Sequence, residues 1–210
     1  METSVQRSGF ESAYLEGSPP WVIDAPQPQV VELERAGLIS GAVLDPGCGT
    51  GEHTIMLAGR GYDVLGVDFA PKAIELARAN AARRGVDARF EVADALRLGS
   101  EPRFDTVVDS ALFHVFGPDD RLAYARSLHR VCRENAVVHV LALSDAGPGL
   151  GPQISDTAIR EAFADGWNLE ELRPSSYRVI VPPNVDQRLG LTVGEPADII
   201  AWLARARRTA

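Results

Sequence analysis

The sequence predicts a doubly wound α/β domain built on a mostly parallel, seven-stranded sheet with an antiparallel edge strand. Three observations carry that reading. Apolar strand-like runs alternate with helix-like segments from Ala42 to Ser144, the pattern of a parallel sheet covered on both faces. A glycine-rich turn, LDPGCGTGEHTIMLA (44–58), follows the first of those runs. Acidic residues stand at the ends of the first three strands, at Asp45, Asp68 and Asp94.

Taken in order, residues 18–28 (SPPWVIDAPQP) are proline-rich and should be extended rather than helical. Gln29 to Leu38 reads as a short helix with Val30, Leu33 and Gly37 on one face. AVLD (42–45) is a buried strand, followed by the glycine turn and a helix from Gly51 to Ala58. DVLGVD (63–68) is the second strand. The next helix starts with Pro71 at its first position and stops before Gly85, with Ile74, Ala77 and Ala81 turned inward. ARFEVAD (88–94) and FDTVVDS (104–110) are strands, Asp120 to Cys132 a helix, and AVVHVLALS (136–144) the fifth strand. After a helix from Asp156 to Ala164, WNLEEL (167–172) and SYRVIV (176–181) read as two closely connected strands. Two strands without an intervening helix imply a hairpin, hence the antiparallel edge. ADIIAWLARARR (197–208) reads as a closing helix.

The 210 residues form one domain: residues 1–28 as an N-terminal lid, 42–144 as the ligand-binding core, and 145–210 as the sheet edge and substrate side. With 45% apolar and 24% charged residues, the composition is that of an ordinary globular protein. The start, METSVQRSGFESAY, has no apolar core of a secretory signal. The apolar run 136–143 is too short to span a bilayer. Cys48 and Cys132 make neither a disulfide framework nor a metal cluster, which fits a reducing cytoplasm. A net charge of −8 argues against a nucleic-acid partner. Arg205, Arg207 and Arg208 read as a solvated helix end favoured by the helix dipole. Only Lys72 among 21 cationic residues is a lysine, a skew that points to a high-GC bacterial source.

The turn invites a phosphate-binding reading, which its details oppose. Where a dinucleotide fingerprint carries its third glycine, this chain has Glu52. A carboxylate at a helix N-terminus occupies the favourable end of the dipole and repels phosphates. The lysine of a phosphate-binding loop is absent as well. A ligand that needs close backbone approach without phosphates is S-adenosylmethionine. Asp45 can attract its ammonium group, directly or through water. Asp68, 21 residues past Gly47, can accept both ribose hydroxyls, and Asp94 the adenine amino group.

Asp45-Pro46-Gly47-Cys48-Gly49-Thr50-Gly51 resembles the first motif of class I methyltransferases, whose sheet is Rossmann-like. GVDFAP (66–71), VADAL (92–96) and FDTVVDSALFH (104–114) resemble that family's later motifs in the right order. The resemblance adds Phe69, Ala95 and Ser110 to the cofactor residues, with Cys48 and Thr50 contributing through the turn. PPWVIDAPQP and DSALFHVF add a narrower similarity, to small bacterial thiopurine and tellurite-resistance methyltransferases and to those that methylate hydroxylated heterocyclic toxins. Two departures stand out. Arg133-Glu134-Asn135-Ala136 replaces the family's Pro-Gly-Gly turn, and Pro46 is uncommon in the first motif. Asn135 can adopt the left-handed conformation that glycine would supply.

The resemblance implies methyl transfer to an O, S or N nucleophile of a small, aromatic or heterocyclic molecule. Holding the partners in line supplies much of such catalysis, and a base is needed only for an acceptor that is protonated at working pH. His114 is the candidate for proton handling, with a pocket wall as its alternative role. Ser110 and Phe113 lie beside it. Trp21 belongs to a lid over the sulfonium or to core packing, and Tyr14 shares that choice. His53 should be solvated, His129 and His139 structural, Cys48 a packing residue, and Cys132 a small hydrophobe on the inner face of its helix. Competing classes are a non-catalytic S-adenosylmethionine-binding protein, a nucleic-acid methyltransferase and a nicotinamide oxidoreductase. Against the nucleic-acid enzyme, the Asn/Asp-Pro-Pro-aromatic motif is absent after the fourth strand.

Overall fold

Strand β1 (Ala42–Pro46) lies near the middle of a single sheet whose other members are β2 (Asp63–Asp68), β3 (Arg89–Val92), β4 (Phe104–Ser110), β5 (Cys132–Leu143), β6 (Trp167–Ile180) and β7 (Pro196–Arg208). The computed structural model describes residues 4, 5, 7–17 and 19–210. The rest of the 1–28 segment, to which the lid and leader readings apply, lies outside the described residues. Strand order is β3-β2-β1-β4-β5-β7-β6. The first four pairings are parallel, while β7 runs antiparallel to both β5 and β6. The sheet is therefore mostly parallel, as the alternating pattern requires, with antiparallel pairing at one edge that runs through β7.

Successive strand residues face opposite sides, so both faces must be covered. Val43, Val64, Val108 and Leu141 pack with Val30 and Leu33 of helix α2 (Pro28–Arg35) and Leu57 of α3 (Glu52–Gly59). Leu44, Val107, Val138 and Val140 face the other way, onto Tyr124 and Leu128 of α5 (Pro118–Val131) and Ile159 of α6 (Asp156–Ala162). Helix α4 (Pro71–Arg83) buries Ile74, Ala77 and Ala81 against Ile55 and Phe90. Pro28, Pro71 and Pro118 each open a helix, where a missing N–H costs nothing. An additional helix, α1 (Arg7–Glu16), precedes the proline-rich stretch. Over 19–27 that stretch is neither helical nor extended as expected, but turns at Pro20–Trp21 and bends at Asp24, φ 55°.

The C-terminal third departs from the sequence reading. WNLEEL and SYRVIV are not a hairpin but parts of the one continuous strand β6. Pro174 sits within it, which is tolerated because on a sheet's outermost strand the missing N–H can face outward. The expected closing helix is strand β7. Its Ala, Leu and Arg favour helix in isolation, but Ile199, Ala201 and Leu203 are buried and alternate with period two. Pairing to neighbours on both sides overrides the propensity. The arginines consequently end no helix of their own, although Arg208 reaches the last turn of α5. Arg205 and Arg207 both pair with Glu170, and Arg208 Nε donates to the His129 carbonyl at 3.0 Å.

Cys132 is likewise not helical but opens β5, directly after α5, and is fully buried. Asn135 takes φ 65° within that strand, where the register against β4 shifts between Phe104 and Thr106. Asn135 thus serves in place of glycine. His139, on β5, sets Nε2 3.0 Å from the Leu38 carbonyl, and His129 packs edge-on to Trp167.

Candidate active site

Strand order reverses between β1 and β4, and ligands of such sheets bind beyond the strand ends at that switch. A cavity of about 750 Å³ opens there, in the upper range of sites that bury small molecules. Gly47, Cys48, Gly49 and Thr50 line it from the β1 side, and Asp68 and Phe69 from the end of β2. Asp94 and Ala95 follow β3, and Ser110 and His114 follow β4. Asp45 and Gly51 are not among the lining residues.

The turn is held as a unit. Cys48 N–H donates to the Val67 carbonyl and Gly51 N–H to the Cys48 carbonyl, both at 2.9 Å. Gly49 has φ 53° and Gly51 φ 89°. A Cβ on Gly51 would lie 2.9 Å from the Phe90 ring, and one on Gly49 would lie 2.8 Å from the Tyr14 hydroxyl. Asp68 ties turn to strand, accepting from Gly49 N–H at 3.0 Å and Ala70 N–H at 2.9 Å. Burial raises its pKa, and those backbone donors oppose the rise. Asp94 Oδ1 accepts from Leu96 N–H at 3.0 Å, capping the short helical turn Ala95–Arg97.

Two acidic residues differ from expectation. Asp45 lies beneath the turn, where its Oδ2 accepts from the Thr54 hydroxyl at 2.6 Å and the Thr54 N–H at 3.2 Å. Burial pushes its pKa up to about 7. Glu52 instead lines the cavity while remaining 8% exposed. Its carboxylate accepts the Thr50 hydroxyl at 2.8–2.9 Å, and burial raises its pKa. His53 also lines the cavity rather than sitting in solvent. Its Nε2 accepts the Gln27 N–H at 3.1 Å, and desolvation lowers its pKa to about 4.

Phe10, Tyr14 and Trp21 of the N-terminal segment pack beside the glycine turn and Phe69. Trp21 Nε1 donates to the Tyr14 hydroxyl at 3.1 Å. Phe10 packs against both Trp21 and Phe69, with ring centroids 5.6 and 6.1 Å away. Trp21 therefore both packs and lines the cavity, joining the two roles weighed for it.

Beyond β4 the backbone is strained. Ala111 adopts φ 73°, a conformation that favours glycine and costs a side chain about 1 kcal/mol or more. Asp109 holds the loop, accepting from Leu112 and Phe113 N–H at 3.0 and 3.2 Å and from the Tyr124 hydroxyl at 2.8 Å. Burial moves its pKa to about 6. Ser110 Oγ is buried and has no hydrogen-bond partner among the described residues. His114 is 6% exposed and its Nδ1 accepts the Leu143 N–H at 3.0 Å. Burial, then the Arg121 guanidinium, drive its pKa down to about 3.

These residues fit a nucleoside carrying a cationic amino-acid tail. The glycine turn permits close approach, the buried carboxylates Glu52 and Asp68 compensate positive charge, and the Ser110 hydroxyl awaits a partner. Fold and site thus define a cofactor crevice of the class I methyltransferase kind.

A family model described as a methyltransferase domain matches residues 43–135. The chain is 37% identical to 2-heptyl-1-hydroxyquinolin-4(1H)-one methyltransferase of Mycobacteroides abscessus over 179 residues, 79% of each chain. A structure solved in work on the conversion of a disulfide bond into a thioacetal group during echinomycin biosynthesis aligns with TM-score 0.87. It is 43% identical, over 96% of this chain and 91% of that one. Burkholderia thailandensis 1,6-didemethyltoxoflavin-N1-methyltransferase, solved with 1,6-didemethyltoxoflavin and S-adenosylhomocysteine, aligns with TM-score 0.68 at 25% identity, over 97% and 87% of the chains. The chain belongs to the S-adenosylmethionine-dependent methyltransferases that act on small molecules. Among the described residues no helix is long and apolar enough to cross a membrane.

Proposed function

We propose that the acceptor is an aromatic or heteroaromatic molecule methylated on a ring-borne hydroxyl, with sulfur and nitrogen nucleophiles as variants. One observation carries this reading: the cavity beyond the cofactor side is walled by Val115, Phe116, Leu150, Val179, Val185 and Leu189. Such a wall gains by covering a ring and repels a charged polymer. The names of the hydroxyquinolone and toxoflavin enzymes support a heterocyclic acceptor; the first names a hydroxylated ring, the second methylation at a ring nitrogen, N1.

In this reading Asp68 holds the ribose, Asp94 and Ala95 the adenine, and the backbone of Gly47 to Gly51 the amino-acid tail. Glu52 faces the tail's ammonium, while Asp45 acts on it from below through Thr54. Trp21, Tyr14, Phe10 and Phe69 close over the site as the lid, which excludes water during reaction. When bound, the cofactor supplies a methyl group made electrophilic by its sulfonium. The chain's own contribution is to hold the acceptor in line with that methyl and keep the crevice dry. The reaction belongs in the cytoplasm of a bacterium and involves neither nucleic acid nor membrane, in keeping with the charge of −8 and two unpaired cysteines.

The test is a methyl-transfer screen over hydroxyquinolines, N-hydroxy heterocycles, phenols and thiols, scored by the mass of one added methylene. Turnover of ring hydroxyls is expected. Tight cofactor binding without turnover of any acceptor would return the chain to the sensor class.

A further inference from the structure

We infer that His114 is a fixed hydrogen-bond donor that admits the acceptor only as its anion; the inference rests on the acceptor reading above. A neutral imidazole carries one N–H. Because Nδ1 accepts the Leu143 N–H, the proton belongs on Nε2, and the ring lines the cavity. Acting as a base would require the proton on Nδ1, where it would face the Leu143 N–H donor to donor. The buried Arg121 guanidinium and the loss of water both oppose a second proton on the ring.

The other ionisable groups around the cavity each have a partner or are kept neutral by burial. His53 Nε2 accepts the Gln27 N–H at 3.1 Å, and Asp94 Oδ1 accepts the Leu96 N–H at 3.0 Å. Burial raises the Tyr14 and Cys48 pKa values. Asp120 accepts from the Ser4 hydroxyl, and Asp186 pairs with Arg188 at 2.6 Å. Burial keeps the Tyr177 phenol protonated. Glu52 and Asp68 are bonded to Thr50 and to backbone on the cofactor side. A single hydrogen bond leaves a carboxylate such as Asp120 with further lone pairs, but the group that His114 offers, an Nε2–H, takes up no proton and suits an oxyanion or thiolate. The proton therefore leaves to solvent before binding. The nucleophile's lone pair then forms the bond to the methyl carbon while the carbon–sulfur pair goes to sulfur, so an anion and a cation become two neutral products.

The experiment uses the full chain in two arms. In the first, histidine-labelled protein is examined by nitrogen NMR from about pH 5 to 8. The neutral Nε2–H tautomer of His114 should persist throughout; a titration in that range, or an Nδ1–H tautomer, overturns the inference whether or not any acceptor reacts. In the second, kcat/KM is followed against pH for phenols and N-hydroxyquinolones of graded acidity. The rising limb should move with each acceptor's own pKa, and a limb fixed near neutrality for every acceptor overturns the inference while leaving the acceptor class intact. Failure of every acceptor sinks the acceptor reading instead, with the NMR arm still deciding the role of His114. His114→Leu should lose about 10- to 150-fold with an ionised acceptor, as expected for a hydrogen bond to a charged group. His114→Gln, which can accept from Leu143 and still donate, should recover part of that loss at unchanged S-adenosylhomocysteine affinity. Equal losses in both variants would reduce His114 to a wall.

Discussion

Asp68 first binds the protein to itself: its two oxygens fix the Gly49 and Ala70 amides, apart from the ribose contact proposed for it. Asp68→Asn removes the charge, keeps one acceptor oxygen and turns an NH2 toward the other amide, so S-adenosylhomocysteine affinity should fall at least about tenfold with a smaller loss of stability than alanine causes. Asp68→Ala should also destabilise the fold by about 1–3 kcal/mol, because two buried donors lose their acceptor. Calorimetry and thermal melting read the two effects, and undiminished affinity in the Asn variant would put the ribose elsewhere. The location of Asp68 was legible because a strand end followed by a helix can be read from periodicity. Which side a carboxylate faces was not. Asp45 turns under the glycine turn to Thr54, and Glu52 reaches the cavity, because the chain's path through Gly49 and Gly51 sets those directions. The state of His114 was equally hidden: it depends on an amide of β5, 29 residues away.

At the scale of elements, the alternating core from β1 to β5 could be read because its strands other than β3 carry apolar runs and each helix has an apolar face. β7 could not. Its residues favour helix locally, and only the presence of β5 and β6 on its flanks makes a strand the better outcome. Ala204 pairs with Val140 on one side and Leu172 on the other. Ala204→Pro should therefore cost about 3 kcal/mol or more and leave little folded protein. A proline variant that melts like the parent would mean that β7 is dispensable to the sheet. Helix α1 makes a different case. Tyr14 packs with Ala70 and Ala73, partners brought near only by the fold. If this segment is the lid, amide exchange in residues 7–28 should slow when S-adenosylhomocysteine binds, and Trp21→Ala should weaken that binding. Protection confined to residues after Ala42 would rule the lid out.

For the whole molecule, buried ionisable groups oppose one another. Burial carries Asp45 to about 7 and Asp109 to about 6, from an ordinary 3.8. It carries His53 to about 4 and His114 to about 3, from an ordinary 6.5. The carboxyls alone favour the folded state at low pH, and that contribution is lost as pH rises from about 4 through 7. The imidazoles alone favour it at high pH, and theirs is lost as pH falls from about 6.5 toward 3. Between about pH 4.5 and 6 the folded chain holds the two carboxyl protons and the unfolded chain the two imidazole protons. Stability follows the difference in bound protons, so these four groups should leave it nearly level there and let it fall below about pH 4. His114→Gln removes one imidazole from the unfolded side of that balance. The folded variant then binds more protons than its unfolded form, and its stability should decline by about 1 kcal/mol per pH unit as pH rises across the same window. Urea unfolding of parent and variant at three pH values measures both slopes. Parallel slopes would mean that His114 takes up its proton as readily in the folded chain as in the unfolded one, and the ring could then not be the fixed neutral donor that its bond to Leu143 implies.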